Sequence, residues 1–527
     1  MKVIYILSDT MNRRFLQCYG AKEKAVTPNI DRLASRSVVF DNAFTGSMPC
    51  MPARRDIMTG RLNFLDRPWG GIEPFDHTLA SILTSEKNVY SHMETDHYHY
   101  AERGGENYWT HFTSWNLERG TEFDTINWGP DKTGIPKDVA PEGYAGRYSE
   151  AYNCSRELYA GDKEQYPTPR TFTAAAQWLE KHHDADNFLL WVEGFDPHEP
   201  FDTPPEFVDL YDTPENCENS PFWPDYVPSE RYTEDNIAQI RKHYKATVSM
   251  VDHYLGKLLN VVDKHDMWKD TLVIFTTDHG FMLGEHGFMG KSYMPDYNEM
   301  YNIPFMAAAP GVKPGRSDAL VQNIDVFPTV LQWFGIDPEK VCRNKIHGKN
   351  LLPLLYGKCD KVRETLLFGC FAKTVNIYDG RYIYMRAPKD QTNEPIHIYG
   401  ASMAVRNDFI GLESMSDEEI DTIEMGRHLS WTNYPVYKVP ANNVHWEKNS
   451  LNFQRINRYI DGSKLYDLTT DYEQMHPLDD PEVQQQMIEK LKQAMMEHDA
   501  PQEQFIRLGL PEQRKDEFRE KNCIRRL

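Results

Sequence analysis

Residues 1–10 read MKVIYILSDT, and this stretch decides the fold class. The apolar run Val3–Leu7 indicates a short strand buried on both faces of a sheet, because no polar residue interrupts it until Ser8 and Asp9. Later segments of the same character are Phe188–Val192, Leu272–Thr276 and Pro304–Ala308. Such strands, repeated along a chain, favour a sheet that is covered by helices on both sides.

Helical patterns separate these predicted strands. Thr27-Pro28 begins one that continues through Ile30 to Ala34, with Pro28 in the first turn, where proline is favourable. The other predicted helices are Leu79–Glu86, Thr171–Lys181, Asn236–Val262 and Val326–Trp333. The alternation predicts an α/β domain over residues 1–370, built on a large, doubly wound, mostly parallel sheet.

The pattern changes after Cys370, where short β-rich segments replace the long alternation. Predicted strands are Thr374–Tyr378, Arg381–Met385 and Lys464–Leu468, followed by a helix near Glu482–Met496 and a charged tail. Residues 371–527 are therefore predicted to form a smaller α+β domain with a short antiparallel sheet and a helical tail. Residues 109–164 are aromatic, polar and weakly periodic, which is typical of long loops over a pocket.

Charge and composition exclude several classes of protein. The chain has 58 basic and 79 acidic side chains and a net charge of −21, so a general nucleic-acid-binding surface is not expected. None of the eight cysteines forms a CxxC pair, which argues against a zinc ribbon. No signal-peptide pattern and no membrane-span pattern is found, which predicts a cytoplasmic protein, or a periplasmic one if a leader has been removed.

Polar residues follow the predicted strands at their carboxyl ends, where open α/β sheets bind ligands. Asp9 follows the first strand, Glu193 and the segment Gly194–His198 follow the second, and Asp278-His279 follows the third. Two carboxylates and a histidine can hold one divalent cation. Taken singly, each aspartate is equally well explained as a helix cap or a turn residue.

The segment Pro49-Cys50-Met51-Pro52-Ala53-Arg54-Arg55 is the second candidate site. Pro52 suits the first turn of a helix that runs to about Met58, which places Cys50 just outside the helix N-terminus. The helix dipole and Arg54 would then favour an anion at Cys50. The alternative is an ordinary buried cysteine beside a helix start.

These residues together resemble the sulfatase family. Cys50–Arg54 matches the C-x-P-x-R core of the type I, formylglycine-dependent sulfatases of the alkaline-phosphatase-like superfamily, and Thr59-Gly60 follows in the usual place. Further family landmarks occur in the expected order, namely Asp9, Thr27–Ala34, Asp196–Phe201, Asp278–Gly280, Leu283–Gly287, Lys291 and Leu465–Leu468. They span nearly the whole chain.

The resemblance implies a specific chemistry. Cys50 would be converted to formylglycine by a formylglycine-generating or anaerobic sulfatase-maturating enzyme, and one hydroxyl of the hydrated aldehyde would attack sulfur. Asp9, modified Cys50, Asp278 and His279 would bind the metal, which is calcium by family default, with Mn²⁺ or Mg²⁺ as alternatives. Arg54 would support the nucleophile as a cation. His198 and Lys291 would contact the sulfate, one of them protonating the departing alkoxide.

The chain also departs from the family pattern. Thr10 stands where many sulfatases have a second aspartate, so the site has less negative charge and, with the His279 nitrogen, moves toward Mn²⁺ or a phosphonate-hydrolase-like pattern. The usual Lys-Trp-His element is replaced by Thr95–Tyr100, in which His97 or His99 is expected to reach the sulfate, with a packed loop histidine as the alternative. Arg119 is expected to bind substrate, together with Trp109, Trp115 and Trp128, unless these residues only pack.

The leading hypothesis is a hydrolase acting on a small sulfated substrate, a carbohydrate sulfate or an aryl sulfate. One alternative is a phosphonate monoester hydrolase or phosphodiesterase on the same scaffold. The other is a catalytically silent protein that binds a sulfated ligand. Cys50, Arg54, Asp278 and Lys291 are all present, which argues against the silent alternative.

Overall fold

An eight-stranded sheet forms the centre of the molecule. A computed structural model describes residues 1–105, 107–134, 137–140, 142, 144–212, 221–405, 408–411, 414–444 and 459–510. From one edge to the other, the strands of the large sheet are Gly315–Gln322, Val38–Phe44, Phe305–Ala308, Thr271–Thr276, Lys2–Ser8, Phe188–Gly194, Tyr90–Thr95 and Ser114–Leu117.

The strand Lys2–Ser8 lies inside this sheet and pairs in parallel with Thr271–Thr276 and Phe188–Gly194. Its residues Val3–Leu7 are fully buried, which confirms the prediction from the apolar run. The strand Phe305–Ala308 is antiparallel to both of its neighbours. Phe305 pairs with Thr276, the last residue of the strand Thr271–Thr276. The chain therefore returns into the sheet at the carboxyl end of that strand and runs in the opposite direction. Apolar composition predicted this strand but carries no information on its direction.

Helices cover both faces of the large sheet, as expected for a doubly wound fold. One face, which includes Ile4 and Ile6, packs against the helices Pro28–Ala34, Pro167–His182 and Glu234–Lys264. The other face, which includes Val3 and Tyr5, packs against Cys50–Thr59, Leu79–Lys87 and Val326–Trp333. The alternating side chains of one strand thus supply two separate cores.

A five-stranded sheet lies beside the large one. Its strands, in spatial order, are Lys464–Asp467, Tyr382–Arg386, Val375–Tyr378, Leu366–Cys370 and Ser47–Met48. The first four pair antiparallel, and the helix Pro481–Glu497 packs on them, as the sequence predicts. Strands from residues 47–48 and 366–370 belong to this sheet, and the division into domains at residue 370 stays a prediction. The charged tail, residues 511–527, lies outside the described residues.

The remaining elements are short. The helices are Glu150–Arg156, Pro205–Val208, Asn298–Tyr301, Pro338–Val341, Leu352–Leu355, Asp417–Ile420 and Gln502–Arg507. The strands are Asp138–Val139, Tyr148–Ser149, Val227–Pro228, Met282–Leu283, Phe288–Gly290, His397–Gly400, Ala404–Val405, Asp408–Phe409, Glu424–Gly426 and Val436–Pro440. Residues 109–164 also supply the edge strand Ser114–Leu117, which the loop prediction missed. Among the described helices, none is long and apolar enough to cross a bilayer.

Candidate functional site

Four predicted metal ligands converge at the carboxyl edge of the large sheet. One ligand atom from each of Asp9, Cys50, Asp278 and His279 lies within 4.8 Å of the others, and all four residues are buried. Cys50 Sγ is 3.3 Å from His279 Nε2, which is also 3.3 Å from Asp278 Oδ2. Asp9 and Asp278 follow the carboxyl ends of two neighbouring parallel strands, Lys2–Ser8 and Thr271–Thr276, and this is why residues far apart in sequence meet here.

Cys50 is the first residue of the helix Cys50–Thr59, and does not lie outside it as expected. Pro49 provides the cap, and its carbonyl accepts a hydrogen bond from the Ala53 amide at 3.0 Å, which closes the first turn one residue earlier. Pro52 still lies in the first turn, where it sacrifices no helical hydrogen bond. Cys50 therefore remains at the positive end of the helix dipole.

Arg54 lies one helical turn after Cys50 and binds three carboxylates. Its Nε is 2.6 Å from Glu193, its Nη1 is 2.7 Å from Asp278, and its Nη2 is 2.7 Å from Asp9. Nη1 also donates to the Cys50 carbonyl at 3.0 Å. All of these side chains are fully buried, so the guanidinium orients the ligands rather than facing a substrate.

The charge of this cluster suits a divalent cation. Asp9, Asp278 and Glu193 bring three carboxylates, whereas the nearby positive charges are those of Arg54 and Lys291, so one negative charge is in excess. Burial and the charge of Asp278 raise the pKa of Asp9 to about 7, which shows that the carboxylates repel each other. Burial also opposes ionisation of Asp278, but His279 and Arg54 lower its pKa. A cation between the two aspartates would remove the repulsion.

His279 has the state that a metal ligand needs. Burial lowers its pKa to about 4, so the imidazole is neutral at physiological pH. Its Nδ1 pairs with the Gly280 carbonyl at 3.0 Å, which leaves Nε2 facing Cys50 and Asp278. Such a hydrogen bond on the second nitrogen is usual for metal-binding histidines.

The Cys50 side chain is a weak nucleophile in its unmodified form. Its exposed fraction is 2%, and burial, followed by the charge of Asp9, raises the pKa of the thiol. The thiol is therefore protonated at neutral pH, whereas a reactive cysteine needs its thiolate.

Thr10 positions the cluster rather than adding a charge to it. Its hydroxyl donates to Asp9 Oδ1 at 2.6 Å, and its amide donates to Asp278 Oδ1 at 3.0 Å. The backbone φ of Thr10 is 63°, a left-handed value that is uncommon for a β-branched residue and marks a constrained site.

Lys291 and His198 lie next to this cluster and share the neighbour Glu199. Lys291 Nζ is 3.2 Å from the Thr10 hydroxyl and 3.7 Å from Glu199 Oε2. Burial opposes the charge on Lys291, but Cys50, Glu199 and Tyr226 together hold its pKa above the usual range. His198 Nδ1 is 2.6 Å from the Glu199 carbonyl, and burial, reinforced by Lys291, lowers the pKa of His198.

His97 and His99 are two residues apart and face different neighbours. His97 Nδ1 is 3.6 Å from Asp9 Oδ2, and among the described residues neither of its buried ring nitrogens has a hydrogen-bond partner. His99 instead has Nδ1 at 2.6 Å from Glu102 and Nε2 at 3.2 Å from Glu122. Burial lowers the pKa of His99, but the two glutamates outweigh it and raise the pKa to about 9. His97 is thus the histidine beside the metal cluster.

Arg119 is not brought into the cluster. It forms a two-point ion pair with Asp124, and 47% of its side chain is exposed. Trp109 and Trp115 stack on each other at 4.7 Å, with Trp109 also against Tyr100, so these rings make packing contacts.

Glu193 is the residue of the site to which the sequence assigned no role. It is the next-to-last residue of the strand Phe188–Gly194 and binds Arg54, while its other oxygen accepts hydrogen bonds from Tyr100 at 2.9 Å and Trp191 at 3.0 Å. The sequence feature that could have pointed to Glu193 is its position as a carboxylate at the carboxyl end of a predicted inner strand, where ligands bind.

Comparisons with known proteins identify the family of this chain. The family model described as Sulfatase matches residues 2–336. The chain is 26% identical over 423 residues to choline-sulfatase of Rhizobium meliloti (strain 1021), covering 74% of this chain and 78% of that protein. It is 28% identical over 424 residues to iduronate 2-sulfatase of Homo sapiens, and the match covers 67% of this chain and 73% of that protein.

The fold is shared with the crystal structure of the phosphonate monoester hydrolase of Agrobacterium radiobacter, with a TM-score of 0.60, 18% identity and coverage of 94% and 96% of the two chains. The family model and the shared fold together define the class of protein, a hydrolase of the alkaline-phosphatase-like type. The family model covers well over half of the chain, and the protein belongs to the sulfatase family.

Proposed function

We propose that this enzyme hydrolyses a sulfate ester, with Cys50 converted to formylglycine and a divalent cation held by Asp9, Cys50, Asp278 and His279. The observation that supports the proposal is that Cys50, the motif cysteine, is buried together with Asp9, Asp278 and His279, with one ligand atom of each within 4.8 Å of the others. The excess negative charge and the neutral His279 both fit a cation at this position.

The modified residue and the ion would supply the chemistry that the protein side chains lack. The hydrated aldehyde would supply the hydroxyl that attacks sulfur, and its second hydroxyl would allow sulfate to leave without water attack on sulfur. The ion would lower the pKa of the attacking hydroxyl and polarise a sulfonyl oxygen. Calcium is the first candidate, with Mn²⁺ or Mg²⁺ as alternatives, and the His279 nitrogen favours Mn²⁺.

The roles of the remaining residues follow from their positions. Arg54 orients Asp9 and Asp278 through direct ion pairs. Lys291 keeps a buried positive charge beside Thr10 and would bind a sulfate oxygen. His97, whose ring nitrogens near Asp9 have no hydrogen-bond partner in the part of the chain that the structure describes, would contact the sulfate, and His198 would act at the departing oxygen.

A small carbohydrate sulfate is the proposed substrate, with an aryl sulfate as a second possibility. Support comes from the similarity to iduronate 2-sulfatase, whose name states a sulfated uronic acid. Choline-sulfatase is a relative of comparable identity, so choline sulfate belongs in the same substrate screen. The proposed maturation partner is a formylglycine-generating or anaerobic sulfatase-maturating enzyme.

A phosphonate monoester hydrolase or phosphodiesterase is the second candidate function. The observation in its favour is Thr10, whose hydroxyl donates to Asp9 where a second carboxylate would add negative charge. Together with the His279 nitrogen, this neutral residue gives the phosphonate-hydrolase-like ligand pattern expected from the sequence.

The test uses protein expressed with a maturating enzyme. Peptide mass analysis is expected to show the Cys50 peptide lighter by about 18 Da, the mass lost when the thiol becomes the aldehyde. The matured enzyme is then compared on an aryl sulfate, an aryl phosphonate monoester and a phosphodiester, followed by sulfated sugars and choline sulfate. Cys50→Ala protein from the same host is the control. Higher kcat/KM for the phosphorus substrates would replace the first candidate with the second.

A further inference from the structure

His198, the residue proposed to act at the departing oxygen, needs a charged ring for that role. Its Nδ1 is 2.6 Å from the backbone carbonyl of Glu199, and a carbonyl only accepts hydrogen bonds, so Nδ1 carries the proton of the neutral ring. Nε2 is then a bare acceptor, and it carries a proton only when the imidazole is charged. A general acid that donates from Nε2 is therefore the imidazolium form of His198.

The immediate surroundings of His198 oppose this charge. Its exposed fraction is 2%, and burial, reinforced by the positive charge of Lys291, lowers the pKa of His198 well below its usual range. The carboxylate of Glu199 lies 3.3 Å from His198 Nδ1, but it also pairs with Arg147 at 3.1 Å and with Lys291 at 3.7 Å. Because two cations already balance Glu199, the protonated form of His198 needs a further negative charge.

Glu122 is the carboxylate that supplies this charge. One oxygen of Glu122 and one ring nitrogen each of His99 and His198 lie within 4.8 Å of one another. The charge of Glu122 acts against burial and raises the pKa of His198. The exposed fraction of Glu122 is 2%, so water screens this attraction little. The φ of Glu122 is 44°, a left-handed value that is enriched at functional sites in residues other than glycine.

His99 holds Glu122 in this position without cancelling the negative charge of the group. His99 Nε2 is 3.2 Å from Glu122, and Nδ1 is 2.6 Å from Glu102, which raise the pKa of His99 to about 9 against the effect of burial. One imidazolium thus faces two carboxylates, and one negative charge remains in excess beside His198. Two more titratable rings, those of His97 and Tyr98, pack on His99 with centroids 5.2 and 5.7 Å away.

We propose that Glu122, held by His99, is a positioning residue that stabilises the protonated form of His198, so that Nε2 donates a proton to the departing oxygen. The inference rests on the proposed function. When the modified Cys50 attacks, the bond between sulfur and the departing oxygen breaks, the electron pair stays on that oxygen, and the oxygen takes the proton of His198. The ring regains a proton from the solvent, since hydrolysis of the ester monoanion to an alcohol and a sulfate dianion releases one.

The test compares two leaving groups in protein expressed with a maturating enzyme. The para-nitrophenolate ion leaves without a proton, whereas the more basic oxygen of phenyl sulfate needs one. Glu122→Gln keeps the shape and removes the charge, and should lower kcat/KM for phenyl sulfate by about 10- to 100-fold but for para-nitrophenyl sulfate by less than about threefold. His198→Asn should show the same selectivity, and Glu122→Asp, which keeps the charge, should recover part of the loss.

The matched control is Asp124→Asn. Asp124 lies two residues from Glu122, is equally buried, and binds Arg119 and the Gly120 amide rather than His198. Disturbing this loop without changing the charge beside His198 should alter kcat/KM for both substrates by the same factor. Circular dichroism of each variant shows that the fold is retained.

A second measurement needs no turnover. In protein with isotope-labelled histidine, the nuclear magnetic resonance signal that is absent from His198→Asn belongs to His198. Its titration should move to lower pH in Glu122→Gln, because the imidazolium has lost a stabilising charge. An unmoved titration, or equal losses of kcat/KM for the two leaving groups, would overturn the inference. Failure of the proposed function would appear instead as matured wild-type protein that hydrolyses no sulfate ester, and the titration would still decide the role of Glu122.

Discussion

The substitution Arg54→Lys examines whether the guanidinium holds the metal ligands in place. Arg54 uses three nitrogens for ion pairs of 2.6–2.7 Å with Glu193, Asp278 and Asp9, and all partners are fully buried. Lysine keeps the charge, but a single ammonium nitrogen cannot reach three carboxylates that surround a planar fork.

The expected cost follows from the contacts that are lost. If lysine retains one ion pair, two buried carboxylates lose a charge-assisted hydrogen bond worth about 1.5–3 kcal/mol each. A loss of about 3–5 kcal/mol in unfolding free energy is expected, which is the range for breaking a buried pair. Because Asp9 and Asp278 lose their orientation, metal affinity should also fall by about 10- to 100-fold.

Urea unfolding of protein treated with a chelator measures the loss of unfolding free energy, and titration with Mn²⁺ or Ca²⁺ measures the loss of metal affinity. The matched control is Arg55→Lys on the same helix, which loses a two-point ion pair to Asp76 at 2.8 and 3.0 Å. Arg55→Lys should lose stability without loss of metal affinity. The reasoning is refuted if Arg54→Lys binds the metal within threefold of wild type, or if both variants lose affinity equally.

Four further outcomes are expected. Cys50→Ala should abolish turnover and leave the cooperative unfolding transition intact, as activity and circular dichroism would show; residual turnover at the wild-type rate would remove Cys50 from the reaction. Lys291→Ala should lower kcat/KM by about 30- to 1,000-fold, equivalent to about 2–4 kcal/mol, if its charge stabilises the transferring group. His97→Asn should weaken inhibition by inorganic sulfate, because His97 lies beside Asp9, whereas His99→Asn should leave that inhibition unchanged, because His99 faces Glu102 and Glu122; the reverse pattern would exchange their assignments. Burial lowers the pKa of His498 to about 4, so below about pH 6.5 the unfolded chain binds a proton that the folded chain excludes. The free energy of unfolding should therefore fall as the pH drops from about 6.5 toward 4. In urea titrations, His498→Gln should make the free energy of unfolding depend less on pH in this range, and an unchanged pH dependence would contradict the assignment.

Much of the fold was predictable because the signals are local. The run Val3–Leu7 and the later apolar segments identified inner strands of the large sheet, and Pro28 and Pro52 indicated helix starts. The direction of Phe305–Ala308 was not predictable, because a buried strand has the same composition in either direction. The membership of Ser47–Met48 in the smaller sheet was missed because it depends on a pairing with residues more than 300 positions away.

Some features of the candidate site could likewise be predicted from the sequence, and others could not. The sequence by itself identified the residue types of the proposed metal site, since Cys50–Arg54 and Asp278-His279 are contiguous motifs. Only the tertiary structure decided that His97 and not His99 lies against Asp9, and that Arg54 pairs with three carboxylates. The physical reason is that hydrophobic periodicity and capping act between residues a few positions apart, whereas the direction of a loop side chain is settled by whatever packs against it from distant parts of the chain.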